Sequence, residues 1–363
     1  MLISGDPAIA LLAKTLLAVA LISSASFASA MNKEEQFRIP VGTSKLKLFI
    51  RHLPPANPQT VREGRVVLIL HGGTLPSGAS SAFPFDGHSW MDDLSDHGFD
   101  VWTIDYIGYG GSDRYSEMSA PANANPPLGR ATQVSSQVSA AVDFIRGRQK
   151  VSKVSIIAHS WGTLVAGVFA TQEPDRVDRL VLYGPVTLRH QNIMVTSALP
   201  AYNYVTEEEQ WKRFSGWAPP NEPPVLEKRH FDILGPAYID SDPTSHSRNP
   251  PSVQVPGGPD ADATDAWNGK FPYDPARIKS PTLIIRGEWE TITTDEDAHW
   301  LFKALSSAPI KRDVLINRAT HVMHLEKNRY QVYREVQLFL EGSDTKRCNS
   351  GWPILLSGRV TIC

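Results

Sequence analysis

Short apolar runs and amphipathic segments alternate through the first half of the chain. The runs that are rich in β-branched residues, as buried strands are, lie at residues 46–51, 65–70, 100–105, 154–158 and 179–183. Between 130 and 148, apolar residues recur three or four positions apart, which is the spacing of one helix face, and a second helix is predicted at 161–171. This alternation predicts an α/β fold, a mostly parallel twisted sheet with helices on both faces.

The same alternation returns near the end of the chain, after an interruption. Strands are predicted at 282–286 and 313–316, and helices at 295–305 and 330–340. Ten prolines fall between 219 and 259, where long regular helices are not expected, and the aromatic content there argues against a disordered linker. The predicted organisation is therefore a core, a Pro- and Trp-rich cap insertion of short helices and ordered loops, and a tail, at residues 31–185 with 276–342, 186–275, and 343–363.

The N-terminal segment has the pattern of a secretory signal peptide. Residues 8–30 are almost entirely apolar or small and end in Ala28-Ser29-Ala30, a small-x-small cleavage site. The apolar run is short for a membrane anchor, which is the alternative reading. We therefore expect residues 1–30 to be removed after Ala30 and the protein to be periplasmic or secreted. Cys348 and Cys363 lie in the tail, where either a disulfide or two free thiols is compatible with the sequence.

Composition excludes several classes of function. The 363 residues include 36 Lys and Arg against 38 Asp and Glu, a net charge of −2, which argues against a nucleic-acid partner and a polybasic membrane surface. Two cysteines exclude a disulfide scaffold and a four-thiolate zinc site. Because the sequence has no metal-ligand cluster, phosphate loop or dinucleotide motif, we expect neither metal nor cofactor. No later stretch predicts a stable membrane span, and the oligomeric state stays open.

Ser160 is the strongest chemical signal. The predicted strand 154–158 runs into His159-Ser160-Trp161-Gly162 and then into a helix. Such a sharp turn projects the serine hydroxyl, and it needs small residues two positions before and after because strand and helix approach closely. Gly162 meets that need, and Ala158 stands where glycine is more usual. The turn predicts a nucleophilic serine at a helix N-terminus.

A second glycine-containing turn could supply the oxyanion hole. His71-Gly72-Gly73-Thr74 directly follows the strand predicted at 65–70. Backbone N–H groups from such a loop, together with the N–H after the nucleophile, stabilise an oxyanion in acyl transfer. The predicted donors are the N–H groups of Gly73 and Trp161.

A serine nucleophile also needs a base and an orienting carboxylate. His321 follows the strand predicted at 313–316 across a short loop and is preferred to His324, which lies nearer the next helix. No Asp or Glu occurs between 179 and 206, so the carboxylate is expected after strand 282–286. There Glu290 is chosen over Glu288 and over Asp295, which has the position of an acidic helix start.

Together these features resemble the α/β-hydrolase superfamily, in particular its cap-bearing branch of esterases, lipases, lactonases and C–C hydrolases. The resemblance covers residues 46–340, and it includes the stretch Asp105, Gly108, Gly110 and Ser112 after a strand. It implies an α/β-hydrolase fold in which Asp105 is a structural turn residue. It also places the family's usual aspartate at Glu290 and its histidine at His321, with Glu326 five residues on as a structural or helix-start residue.

The expected function is that of an exported serine hydrolase cleaving a carboxylic ester with a Ser160-His321-Glu290 triad. A C–C (β-diketone) hydrolase or a lactonase using the same triad is the alternative, and a non-catalytic binding protein is a distant one. A serine nucleophile argues against the aspartate branch of dehalogenases and epoxide hydrolases. Activity should fall below about pH 6, because the base must be neutral.

The expected partner is a small-molecule or polymer-derived ester. The near-neutral net charge favours an uncharged or weakly charged one. His159, Thr74 and Trp289 are candidates for the substrate pocket, since each neighbours a predicted catalytic or oxyanion residue.

Overall fold

The computed structural model describes residues 33–191, 193 and 198–342. The predicted signal peptide, at residues 1–30, lies outside the described residues, and so does the predicted tail at 343–363 with both cysteines.

One eight-stranded sheet forms the centre of the described chain. Its strands are β1 (Glu35–Pro40), β2 (Lys47–Leu53), β3 (Val66–Leu70), β4 (Asp100–Asp105), β5 (Val154–His159), β6 (Val177–Tyr183), β9 (Thr282–Gly287) and β10 (Lys311–Ile316). They lie in the order β1-β2-β4-β3-β5-β6-β9-β10. The pairs β1–β2 and β2–β4 are antiparallel, and the neighbouring pairs from β4 to β10 are parallel. The predicted parallel twisted sheet of the α/β-hydrolase fold is therefore confirmed.

Five helices flank this sheet. They are α1 (Trp90–Asp96), α2 (Ala131–Gln149), α3 (Gly162–Gln172), α7 (Asp295–Ala304) and α8 (Arg329–Leu340). Successive strand residues point to opposite faces, so Leu68 and Val67 belong to two different apolar clusters. Helices α1 and α8 cover one face, while α2, α3 and α7 cover the other.

The segment between β6 and β9 holds a small sheet and three helices. These elements are β7 (Tyr202–Thr206), α4 (Glu207–Ser215), α5 (Lys228–Asp240), β8 (Ser252–Pro256) and α6 (Gly258–Trp267), with β7 and β8 antiparallel. The expectation that regular helices would not pass through the prolines is wrong at Pro236, which lies inside α5. Buried Phe231, Leu234 and Tyr238 anchor that helix, so tertiary packing outweighs the lost backbone hydrogen bond.

The sheet brings the predicted site residues to one edge. The carboxyl ends of the parallel strands are in register, with Leu70 opposite Ala158, His159 opposite Tyr183, and Tyr183 opposite Ile285. The loops that follow β3, β5, β9 and β10 therefore emerge side by side. Within the described residues, no helix combines the length and apolarity that a membrane span requires.

Candidate active site

Ser160 occupies the turn between β5 and α3 in a left-handed conformation, with φ of +55°. Its N–H donates to the carbonyl of Tyr183 (2.9 Å), and its own carbonyl accepts from the N–H and the hydroxyl of Thr163 (2.9 and 2.6 Å). A serine in this region costs of order 1–3 kcal/mol, so surrounding bonds must hold it there. The turn presents the serine hydroxyl outward at the edge of the sheet.

Two glycines let the nucleophile turn approach the loop after β3. A Cβ on Gly162 would lie 2.5 Å from the carbonyl oxygen of His71, and a Cβ on Gly72 would lie 3.1 Å from the Cβ of Ser160. The first distance leaves no room for a side chain. This contact explains why a glycine follows Ser160 by two positions.

His321 and Glu290 complete a continuous hydrogen-bonded relay with Ser160. Ser160 Oγ lies 2.7 Å from Nε2 of His321, and Nδ1 of the same ring lies 3.0 Å from both carboxylate oxygens of Glu290. Since a carboxylate only accepts, Nδ1 carries the ring proton and Nε2 is left to accept from the serine hydroxyl. Glu290 is itself fixed by the N–H of Ile292 (2.8 Å), and its side chain is 1% exposed.

The alternatives weighed for base and acid lie elsewhere. Glu288 accepts the N–H of Arg318 (2.8 Å) and Asp295 pairs with Arg286 (2.6 Å) in a largely exposed position. Buried His324 contacts Tyr183 (2.8 Å) rather than the nucleophile. The structure thus brings together the three residues selected from the sequence.

The loops after β3 and β5 also carry the two N–H groups that are predicted as oxyanion donors. Among the described residues, no acceptor takes the N–H of Gly73 or of Trp161. The peptide of Gly73 is oriented by Tyr109, whose hydroxyl donates to its carbonyl (2.8 Å). His71 holds the same loop, since its Nδ1–H donates to the carbonyl of Gly72 (2.7 Å) and its Nε2 accepts from Tyr106 N–H (3.2 Å). Two N–H groups without an acceptor beside a serine are of the kind that stabilises an oxyanion in acyl transfer.

The sequence model of the alpha/beta hydrolase fold matches residues 65–328, a span that contains the nucleophile turn, the acid and the histidine. The chain belongs to the alpha/beta hydrolase fold family.

Individual relatives of this hydrolase-family chain are distant. Over 146 residues it is 28% identical to epoxide hydrolase 3 of Siraitia grosvenorii, an alignment that covers 39% of this chain and 37% of that protein. Among solved structures, it is similar to a meta-cleavage product hydrolase of Pseudomonas fluorescens, with a TM-score of 0.57 at 15% identity over 82% of this chain and 95% of that one. A thermophilic esterase of Thermogutta terrifontis gives a TM-score of 0.53 at 17% identity, covering 85% and 98%.

A layer of buried histidines supports the hydrolase-fold site from behind. His159 Nε2–H donates to the carbonyl of His321 (2.9 Å), so it braces the backbone of the base. Burial lowers the pKa of His159, and the nearby imidazoles of His321 and His324 lower it further. Burial likewise lowers the pKa of His324 to about 3. Both rings are therefore neutral supports rather than proton carriers at ordinary pH.

Glu326 fixes the loop that carries the base. It accepts the N–H of Thr320 (3.1 Å) and also the Thr320 hydroxyl, immediately before His321. Burial raises the pKa of Glu326 to about 7, and the nearby carboxylate of Glu290 raises it too, while the Thr320 bonds act in the opposite direction. Glu326 therefore has the structural place that the resemblance implied.

Asp105 likewise lies in a turn rather than at the nucleophile. Its carboxylate accepts the N–H groups of Ser77 (2.7 Å) and Gly111 (2.8 Å). In the described ranges, no group of three or more His, Cys, Asp or Glu residues could hold a metal ion.

A cavity of about 360 Å³ opens over Ser160. It is lined from below by the core and from above by α4 and α6; its lining includes Thr74, His159, Ser160, His321, Phe214, Trp217 and Trp267. Of the predicted pocket residues, Thr74 and His159 line it. Trp289 instead packs against Arg318, whose guanidinium carbon is 5.0 Å from the ring centroid, so the prediction for Trp289 is wrong. The next residue, Glu290, is the one whose side chain points into the site.

Sequence reasoning missed the cap residues that enclose this cavity. Trp217 packs edge-on against His321, with ring centroids 5.2 Å apart. Arg213 and Asp260, from α4 and α6, also line the cavity. The N-terminal capping signal Thr206-x-x-Glu209 could have located α4, but no local pattern shows which of its residues face the nucleophile.

Proposed function

We propose that this protein is an exported serine hydrolase that cleaves carboxylic esters through an acyl-enzyme. The observation that supports this most is the relay in which His321 lies 2.7 Å from Ser160 Oγ and 3.0 Å from Glu290. A nucleophile, a base and an orienting carboxylate in contact are the requirements of acyl transfer. Export rests on the pattern of residues 8–30 alone.

In the first half-reaction, Ser160 Oγ attacks the ester carbonyl carbon while Nε2 of His321 takes the hydroxyl proton. The carbonyl oxygen becomes an oxyanion facing the N–H groups of Gly73 and Trp161. The bond to the leaving oxygen then breaks, and the imidazolium returns its proton to the departing alcohol. Glu290 holds the ring tautomer and stabilises the imidazolium charge.

In the second half-reaction, water takes the place of the alcohol. His321 accepts a proton from that water as it attacks the acyl carbon, and the second tetrahedral intermediate uses the same oxyanion donors. Breaking the bond to Oγ releases the carboxylic acid, and the proton returns to Ser160. The imidazole of His321 thus accepts and returns each transferred proton.

Labelling with a fluorophosphonate tests this proposal. The purified protein should be labelled at one site and lose esterase activity, and Ser160→Ala should abolish both the label and the turnover of a p-nitrophenyl ester. Ser116→Ala changes an exposed serine that is far from Ser160 in the sequence. It is the matched control and should leave labelling and turnover unchanged. Full hydrolysis by Ser160→Ala would overturn the proposal.

A substrate panel separates the reactions that the same triad can perform. A p-nitrophenyl ester, a lactone and a β-diketone should be assayed side by side, and we expect the ester to be turned over fastest. An epoxide completes the panel because of the relative named above. Attack of Ser160 on an epoxide would leave an ether, which has no carbonyl for water to attack, so we expect no epoxide turnover.

A further inference from the structure

We infer that Arg213 binds a carboxylate on the substrate, so that the preferred ester carries a negative charge on one of its halves. This inference rests on the proposed ester hydrolysis and names its substrate class. Arg213 lies on α4 and lines the same cavity as Ser160 and His321.

The guanidinium is held at the cavity by neutral groups. Its Nη2 donates to the hydroxyl of Thr74 (2.6 Å), the residue that follows the oxyanion loop. Its carbon lies 5.1 Å from the ring centroid of Phe214 and 5.8 Å from that of Trp217, which in turn contacts His321. Aromatic faces orient a guanidinium without neutralising its charge.

Arg213 is solvent-exposed and forms no direct ion pair in the described chain. Other arginines near the cap, such as Arg130, Arg189 and Arg248, each form an ion pair with an aspartate. No carboxylate oxygen of the described residues lies within 4.0 Å of Arg213. Desolvation lowers the pKa of Arg213 and the nearby Asp260 carboxylate raises it, yet an arginine keeps its charge at neutral pH. A planar cation with free donors beside a nucleophile is suited to a carboxylate.

Asp260 is the feature that could argue the other way, since it also lines the cavity. Its carboxylate is exposed and accepts from the side-chain amide of Asn203 (2.9 Å); desolvation raises its pKa and the charge of Arg213 lowers it. One of its oxygens is thus already engaged outside the cavity. Because Asp260 lies more than 4.0 Å from the guanidinium, the donors of Arg213 are left for the substrate, and a charged ester departs from the uncharged one expected from net charge.

The test compares esters that differ in one carboxylate. The charged probes are mono-p-nitrophenyl glutarate, with the charge on the acyl half, and 4-carboxyphenyl butyrate, with the charge on the alcohol half. Their neutral partners are p-nitrophenyl pentanoate and phenyl butyrate. We expect the wild type to prefer at least one charged probe to its partner in kcat/KM.

Arg213→Gln should lower that charged-to-neutral ratio about ten- to a hundredfold, mainly through KM, because a charge-assisted hydrogen bond is lost. Arg213→Lys should restore part of it. Free glutarate should inhibit the wild type competitively and inhibit Arg213→Gln less. Lys212→Gln removes the same charge from an exposed neighbour on α4 and should leave the ratio unchanged.

Asp260→Asn separates the effect of the Asp260 carboxylate from that of Arg213. We expect this variant to keep or raise the charged-to-neutral ratio of kcat/KM. A wild-type ratio of one or below, an equal loss on charged and neutral esters in Arg213→Gln, or a fall in the ratio with Asp260→Asn would overturn the inference. Each of those outcomes leaves ester hydrolysis intact, whereas a wild type that hydrolyses none of the four probes contradicts the proposed function itself.

Discussion

At the scale of single residues, the neighbours of Ser160 hold its backbone in a strained conformation. The left-handed turn is fixed by hydrogen bonds from its own N–H to Tyr183 and from Thr163 to its carbonyl. Those bonds leave the hydroxyl free to interact with His321, at 2.7 Å. The strain thus positions the nucleophile in advance, so that little reorganisation is needed when substrate binds.

Glu290, the proposed triad acid, can be tested by a single substitution. Glu290→Gln should lower kcat by about 10²- to 10⁴-fold, since an amide neither stabilises the imidazolium nor enforces the Nδ1–H tautomer. The steady-state rate on a p-nitrophenyl ester measures the effect, and thermal unfolding checks that the variant folds.

Glu288→Gln and Asp295→Asn are the matched controls for that prediction. Their carboxylates bind Arg318 N–H and Arg286, away from the imidazole. We expect each to retain at least a third of the wild-type rate. A large loss in Glu288→Gln together with an active Glu290→Gln would assign the acid to the other residue.

The contact between the three proposed triad residues could be predicted from the sequence because each follows a recognisable strand. Ser160 comes directly after its strand, and Glu290 and His321 follow theirs across short loops, so the register of a parallel sheet brings all three to one edge. Arg213 has no such marker, because its place depends on how α4 packs over the core. Trp289 was mispredicted for a related reason, since adjacency to Glu290 says nothing about side-chain direction.

At the scale of elements, the contact between α3 and the loop after β3 governs the site. Gly162 begins α3 and lies so close to His71 that a Cβ would be 2.5 Å from its carbonyl oxygen. That carbonyl belongs to backbone that leads into the oxyanion loop. Any side chain at 162 must push the oxyanion loop and the nucleophile turn apart.

Gly162→Ala should therefore lower both kcat, by about tenfold or more, and the unfolding free energy, by about 1–3 kcal/mol as other overpacking changes do. Gly147→Ala is the control, because Gly147 lies within α2 and a Cβ there meets nothing within 4 Å. We expect it to raise stability by about 0.4–1 kcal/mol and to leave kcat unchanged. Chemical denaturation and ester turnover measure the two effects; a Gly162→Ala protein with wild-type turnover would contradict this account.

The core elements followed the hydrophobic pattern more closely than those of the insertion. Apolar runs placed β3, β4, β5 and β9 within a residue or two of their observed bounds. Strand β1 was missed because it is half-buried, with Phe37 and Ile39 alternating with polar residues. Helix α5 was missed because Pro236 seemed to forbid it, and the packing of a helix face is a tertiary effect that local pattern does not contain.

At the scale of the whole molecule, buried titratable groups link the site to stability. Burial lowers the pKa values of His71, His159 and His324, all of which lie behind or beside the nucleophile. In the unfolded chain a histidine takes up a proton below about pH 6.5. Their contribution to the unfolding free energy is therefore present above that pH and is lost as the pH falls toward the folded-state pKa values. Glu326, with a pKa raised to about 7, acts with the opposite sign.

These signs predict opposite changes in two variants when unfolding free energy is measured between pH 5 and 6.5. In the folded state His324 stays neutral across this window, whereas Glu326 stays mostly protonated. Wild-type stability should gain up to about 1.4 kcal/mol per pH unit from His324 and lose up to a similar amount from Glu326, less toward pH 6.5. His324→Gln should therefore flatten the rise of stability with pH, and Glu326→Gln should steepen it.

The quantity compared is the slope of unfolding free energy against pH. A variant that is less stable at every pH therefore still shows whether the mutated residue binds a proton. His299→Gln is the control, because His299 is exposed on α7, and its slope should match the wild type. A His324→Gln slope equal to the wild type would mean that the unfolded and folded chains bind the same number of protons at this residue. Burial would then not hold His324 neutral, and the support behind the base would be a charged group instead.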